Sequence, residues 1–122
     1  MKGLLVRLAV LLMFPAAASS AEFRSRLLDR VDRLLCESDR MYLCVGVGRR
    51  DAEACLIDHL DEIADSDCRA AVKAAKAQVD EIMKSCRFDI DVHCIGMSYG
   101  SELLACFGRH RNELSGSCLR RL

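Results

Sequence analysis

Apolar residues along this chain fall at helical spacing, not in strict alternation. Over 24–36, Leu27, Leu28, Val31, Leu34 and Leu35 share one side of a helix. Over 51–64, Ala52, Cys55, Leu56, His59 and Ile63 line one face. Ser66 is a good N-cap for the next helix, which is expected to run to about Cys86. On it Cys68, Val72, Ala75, Val79, Ile82 and Cys86 follow four-three spacing, a narrow apolar seam carrying both cysteines. Segment 101–114 repeats the earlier face with Leu103, Cys106, Phe107, His110 and Leu114, and Ser101 is its candidate cap. Gly46, Gly48, Gly96 and Gly100 mark turns. The short alternation Phe88-Asp89-Ile90-Asp91-Val92 is flanked by cysteines and fits a helical turn equally well, so no strand is predicted. Pro15 is the only proline, and Ala, Leu, Arg and Glu are plentiful, which favours helices.

The first 21 residues read differently. Lys2 and Arg7 precede an apolar run from Leu8 to Phe14, then Pro15 and a small-residue stretch ending Ser19-Ser20-Ala21. That is the pattern of a secretory signal peptide over 1–21. The run is far short of the ~20 apolar residues that span a bilayer, so a membrane anchor is the weaker reading. The remainder, 22–122, is expected to be a single exported domain, periplasmic or secreted, with no transmembrane segment once the leader is removed.

All eight cysteines lie beyond the leader: Cys36, Cys44, Cys55, Cys68, Cys86, Cys94, Cys106 and Cys118. An even count in an oxidising compartment reads as four disulfides. The first four and the last four match in spacing. Asp39 and Asp89 each stand three after a first cysteine, Gly46 and Gly96 two after a second, His59 and His110 four after a third, and Ser66 and Ser117 precede a fourth. Self-similarity at a period of about 50 residues indicates a duplicated unit, at about 33–70 and 83–120.

The predicted fold is therefore all-α: two disulfide-stapled helical hairpin repeats joined by a long shared helix. In an antiparallel hairpin, residues near the turn face each other and distant ones face each other. This favours nested pairs, Cys44–Cys55 inside Cys36–Cys68 and Cys94–Cys106 inside Cys86–Cys118. The arms are unequal in length, and staggered pairing (Cys36–Cys55 with Cys44–Cys68) stays open.

Charge narrows the function classes. Beyond the leader the net charge is −2, and the whole chain is 52% hydrophobic. These values argue against a nucleic-acid binder and against an acidic disordered tail. Charge splits as −4 over 22–71 and +2 over 72–122, with Arg109, Arg111, Arg120 and Arg121 in the basic part. Asp58, Asp61, Glu62, Asp65 and Asp67 lack the ligand order and central glycine of a calcium loop and read as a solvated face. Asp39 and Asp89 are expected to cap the turn after the first cysteine. Phosphate-binding Gly-rich loops, G-x-S-x-G, H-E-x-x-H and C-x-x-C are absent. No catalytic residue, cofactor-binding residue or metal ligand is assigned, no cofactor is expected, and the protein is read as a non-enzyme. His59, His110 and His93 read as histidines packed beside disulfides.

The pattern C-x2-D-x4-C, a glycine turn, C-[LF]-x2-H and a Ser near a final Cys resembles the cysteine-rich repeat of the Golgi apparatus protein, the cysteine-rich fibroblast growth factor receptor repeat family. About two copies cover residues 33–120, and the leader makes this chain look like a small exported bacterial-type member. The second copy departs from the first: its turn reads GMSYG against GVGRR, and Phe107-Gly108 stands for Leu56-Ile57, a glycine that weakens a helix by ~1 kcal/mol. The growth-factor and selectin roles of the long animal protein do not carry over, and no N-x-[ST] acceptor follows residue 21. The expected function is an exported disulfide-rich module with a binding or structural role toward an unknown protein or envelope partner, with no nucleic acid involved. Such two-repeat units can self-associate weakly through an uncovered apolar edge. The alternative is a periplasmic metal-binding or metal-buffering protein using Cys and His.

Overall fold

A computed structural model describes residues 35–122. The leader over 1–21 and the helix expected to begin at 24 lie outside the described residues, save the latter's last two positions. Among the described residues there are six α-helices and two 3-10 turns, with no strand. In chain order they are α1 (Glu37–Leu43), α2 (Ala52–Asp58), a 3-10 turn (Leu60–Glu62), α3 (Ser66–Ser85), α4 (Arg87–His93), α5 (Ser101–Arg109), a second 3-10 turn (Arg111–Glu113) and α6 (Gly116–Leu119).

Helix α3 is the spine. Its 20 residues make a rod about 30 Å long. The cap is Asp65 and not Ser66: its carboxylate accepts from the amides of Asp67 at 2.9 Å and Cys68 at 2.8 Å, satisfying two N–H groups that the helix itself leaves open. The four-three seam is the buried face, with Cys68, Val72, Ala75 and Val79 inside. One seam serves two apolar clusters. Cys68 and Val72 sit with Cys36, Cys44, Leu56 and Ile63 at one end. Cys86 joins Ile90, Cys94, Leu103, Cys106, Phe107, Leu114 and Cys118 at the other, with Ile82 packed against them. Burial of each large side chain in these clusters stabilises the fold by about 1.5–3 kcal/mol.

Four disulfides close the two clusters. Cys36 is joined to Cys68 and Cys86 to Cys118, each across 32 positions, with Cα atoms 4.9 and 4.5 Å apart. Cys44 is joined to Cys55 and Cys94 to Cys106, across 11 and 12 positions, with Cα atoms 6.0 and 6.1 Å apart. In each cluster one bond lies nested inside the other. Loop-closure entropy gives each outer bridge ~3.7 kcal/mol and each inner one ~2.8 kcal/mol of restraint on the unfolded chain. No cysteine is free.

The helices expected over 51–64 and 101–114 stop sooner, at Asp58 and Arg109. A 3-10 turn follows each, then an extended residue, Ile63 in one region and Leu114 in the other. The buried aspartates explain the break. Asp39 (α1) accepts from the Ala64 amide at 2.8 Å, and Asp89 (α4) accepts from the Ser115 amide at 2.7 Å. A continuous α-helix would commit those amides to its own ladder and leave a buried carboxylate unmet, which is the costlier outcome. Asp39 and Asp89 thus clasp a segment 25 or 26 residues away and do not cap the turn after the first cysteine. Arg69 holds the first break in place by donating from Nε to the Ile63 carbonyl at 3.0 Å and from Nη2 to the same oxygen. Gly108 does not interrupt α5, which continues through it to Arg109.

Matching turns link α1 to α2 and α4 to α5. The Val47 amide donates to the Cys44 carbonyl and the Met97 amide to the Cys94 carbonyl, both at 3.1 Å. Each turn places a glycine third, Gly46 at φ 78° and Gly96 at φ 75°, in the left-handed region that side-chain-bearing residues avoid. No helix among the described residues is long and apolar enough to cross a membrane.

Candidate functional site

Three kinds of polar arrangement stand out, and each starts from a helix end. The first is the pair of buried aspartates. Asp89 is almost wholly buried and takes two bonds from Ser115, the amide at 2.7 Å and the hydroxyl at 2.6 Å. Asp39 has Ala64 opposite it and takes the amide alone from that residue. Both carboxylates are buried and tie one stretch of chain to another.

The second joins the two glycine turns. Asp51, the residue before α2, accepts from the Ser101 amide at 2.7 Å and from the Ser101 hydroxyl at 2.8 Å. It therefore caps α5 from outside that helix, a role the sequence alone suggested for Ser101 itself. These bonds, the amide's first, hold the Asp51 carboxyl below its usual range. Beside it the Tyr99 hydroxyl donates to Glu53 Oε1 at 3.4 Å. Burial, then the neighbouring Glu53 charge, pushes the Tyr99 phenol well above its usual range, so it stays neutral.

The third gathers metal-ligating side chains. His93 is the last residue of α4 and adjoins Cys94. His110 is the residue just after α5, four residues beyond Cys106, and its amide donates back to the Cys106 carbonyl at 3.1 Å. The Cys94–Cys106 bond thus fixes the two backbones that carry these rings. The rings stack with centroids 4.8 Å apart and planes 21° from parallel. Glu113, at the end of the following 3-10 turn, reaches both. Its Oε1 lies 3.0 Å from His110 Nδ1 and its Oε2 lies 3.8 Å from His93 Nδ1. One ligand atom from each of the three residues falls within 4.8 Å of the others. His93 is half-buried and Glu113 is exposed, so the cluster is reachable from solvent.

The other region carries part of this set. His59 and Glu62 make the same i, i+3 contact, at 2.7 Å. Leu43 stands where His93 stands: the Cys55 sulfur lies 3.9 Å from the Leu43 carbonyl oxygen, and the Cys106 sulfur lies 3.4 Å from the His93 carbonyl oxygen. Among the described residues the structure therefore brings His93 and His110 together and leaves His59 with a single carboxylate. Glu113 escaped the sequence reading. The H-x-x-E spacing shared by His59-Glu62 and His110-Glu113 is the signal by which it could have been found. The acidic residues Asp58, Asp61, Glu62, Asp65 and Asp67 are all exposed and form a solvated face. The eight sulfurs, each bonded to another, offer no thiolate to a metal or a substrate.

The chain matches no family model, no curated protein and no solved structure.

Proposed function

We propose that this protein is an exported helical module, stapled by disulfides, that works by binding or as a structural component and not by catalysis. The closure of all eight cysteines into four bonds carries this reading. Four bonds in so small a helical unit suit an oxidising compartment, where a thin core gains most from covalent restraint. The signal-peptide pattern over 1–21 supports export. In this reading the chain is two helical hairpin repeats sharing α3, a small member of the cysteine-rich repeat family that its spacing resembles. The matched bridges, the matched glycine turns and the paired buried aspartates support the duplication.

A binding role draws support from the surface. Met41, Tyr42 and Val45 stand exposed on and just beyond α1, and Phe88, Val92 and Ile95 follow i, i+4, i+7 spacing along and just beyond α4. A binding or self-associating module buries such side chains against its partner.

The test is to express the full chain with its leader and recover it from the envelope or medium. Intact mass without reduction should be eight hydrogens lighter than the reduced cleaved chain, and alkylation should find no thiol. The same material should show no turnover in insulin reduction. Retention of the leader in the cytosol, eight alkylatable thiols on folded protein, or measurable turnover would each sink the proposal.

A further inference from the structure

We propose that His93, His110 and Glu113 form a binding site for a divalent transition-metal ion of the zinc class. This stands apart from the exported-module reading and uses none of the cysteines. Donor chemistry comes first. Two imidazoles and a carboxylate are ligands that zinc takes readily, and three protein ligands leave a fourth position for water or a partner's side chain. Geometry comes second. Both histidines turn Nδ1 toward the same carboxylate, at 3.8 and 3.0 Å, so an ion placed among the three meets one lone-pair atom from each. Ligation at ~2.0–2.1 Å with tetrahedral angles requires donor separations of about 3.3 Å. The present spread is within 4.8 Å, and ligation requires the two rings to turn out of their stack about their side-chain torsions while exposed Glu113 follows.

Preorganisation is the third support. His93 is next to Cys94 and His110 sits one helical turn beyond Cys106, so the disulfide between those cysteines locks the distance between the two ring-bearing segments. A site whose frame is covalently set loses little entropy on binding. Finally, the other region serves as a control within the same molecule. The His59–Glu62 pair, at 2.7 Å, duplicates His110–Glu113 but has Leu43 in place of the second imidazole. An i, i+3 His–Glu contact alone needs no second histidine. The stacked His93 ring is what converts a pair into a three-donor set.

Zinc chloride titrated into the oxidised full-length protein, with a chromophoric chelator competing, tests the site. Wild type should take up one equivalent. H93L, which makes this region like the other, should weaken binding at least about tenfold, since even loss of an outer-shell contact costs 10–100-fold. H59L should bind as wild type does. L43H, which completes the trio around His59 and Glu62, should raise the stoichiometry to two. Ring resonances give a readout that needs no variant: zinc should shift or broaden His93 and His110 and leave His59 unmoved. No zinc uptake by wild type, undiminished binding by folded H93L, equal loss in H59L, a folded L43H held at one equivalent, or zinc-induced change confined to His59 would each overturn the site.

Discussion

The region around residues 36–72 and the region around 86–118 carry the same framework and differ where chemistry enters. Each has an outer bridge spanning 32 positions, an inner one spanning 11 or 12, a buried aspartate clasping a distant amide, and a histidine paired with a glutamate three residues on. The differences are few. Ser115 stands where Ala64 stands, which gives Asp89 a second bond. Phe107 fills the place of Leu56. His93 replaces Leu43. The shared parts are those that the fold needs to close a thin core. The divergent parts alter the strength of a clasp, the size of a cluster and the donor set at one surface. Matching frameworks thus separate what closes each cluster from what differs at its surface.

Bridge removal has the largest expected effect. Cys36→Ala/Cys68→Ala and Cys86→Ala/Cys118→Ala each delete a bond of the same sequence separation, 32, so each is expected to lower stability by about 2–5 kcal/mol in urea unfolding. A markedly unequal pair of losses would show that the apolar clusters, and not chain entropy, dominate.

Clasp removal comes next. Asp89→Ala takes the acceptor from the Ser115 amide and hydroxyl, the latter keeping Ser117 Oγ at 3.1 Å, whereas Asp39→Ala takes it from the Ala64 amide. The first should cost about 2–3 kcal/mol and the second about 1–2 kcal/mol by thermal unfolding. Equal losses would remove the clasp as a point of difference.

A smaller step isolates that difference. Ser115→Ala converts the stronger clasp into the weaker one, and it also removes the hydroxyl that caps α6 through the Cys118 amide at 3.3 Å. Together these should cost about 1–2 kcal/mol in chemical denaturation. Ala64→Ser, which offers Asp39 a second donor, should cost nothing measurable or stabilise slightly.

The smallest effect concerns the junction between the two regions. Bonds from Ser101 hold the Asp51 carboxyl below its usual range. A lowered folded-state pKa means that the unfolded chain takes up a proton first as pH falls. The junction therefore contributes in full above the ordinary carboxylate range, and its contribution fades as pH drops through that range to the folded value. Asp51→Asn should flatten that acid limb of the stability curve and leave its neutral-to-alkaline shape unchanged. An acid limb that is the same in wild type and variant would show that the two glycine turns are not coupled through this carboxylate.

Much of the fold was legible because helical periodicity is local. The seam from Cys68 to Cys86 predicted both the course of α3 and the face it buries, and Phe88 to Val92, whose alternation also fitted a helical turn, lies within α4. The breaks after Asp58 and Arg109 were not legible, because apolar periodicity runs straight through them. Their cause is a carboxylate far along the chain that claims the amide of residue 64 or 115. Likewise Ser66 and Ser101 looked like caps, and the residues that do the work are Asp65, one position earlier, and Asp51, fifty positions away.

By itself, the order of residues determined the helical class, the long apolar seam and the matched spacing of cysteine, aspartate, glycine and histidine in two halves. These follow from side-chain period and local propensity, which act over a few residues. Tertiary structure decided between nested and staggered sulfur pairing, and it alone decided where two of the helices stop and which histidine has a neighbour. Those outcomes depend on distances between groups that are remote along the chain: His93 and His110 are seventeen positions apart, and the Cys94–Cys106 bond between their segments brings their rings to 4.8 Å from each other.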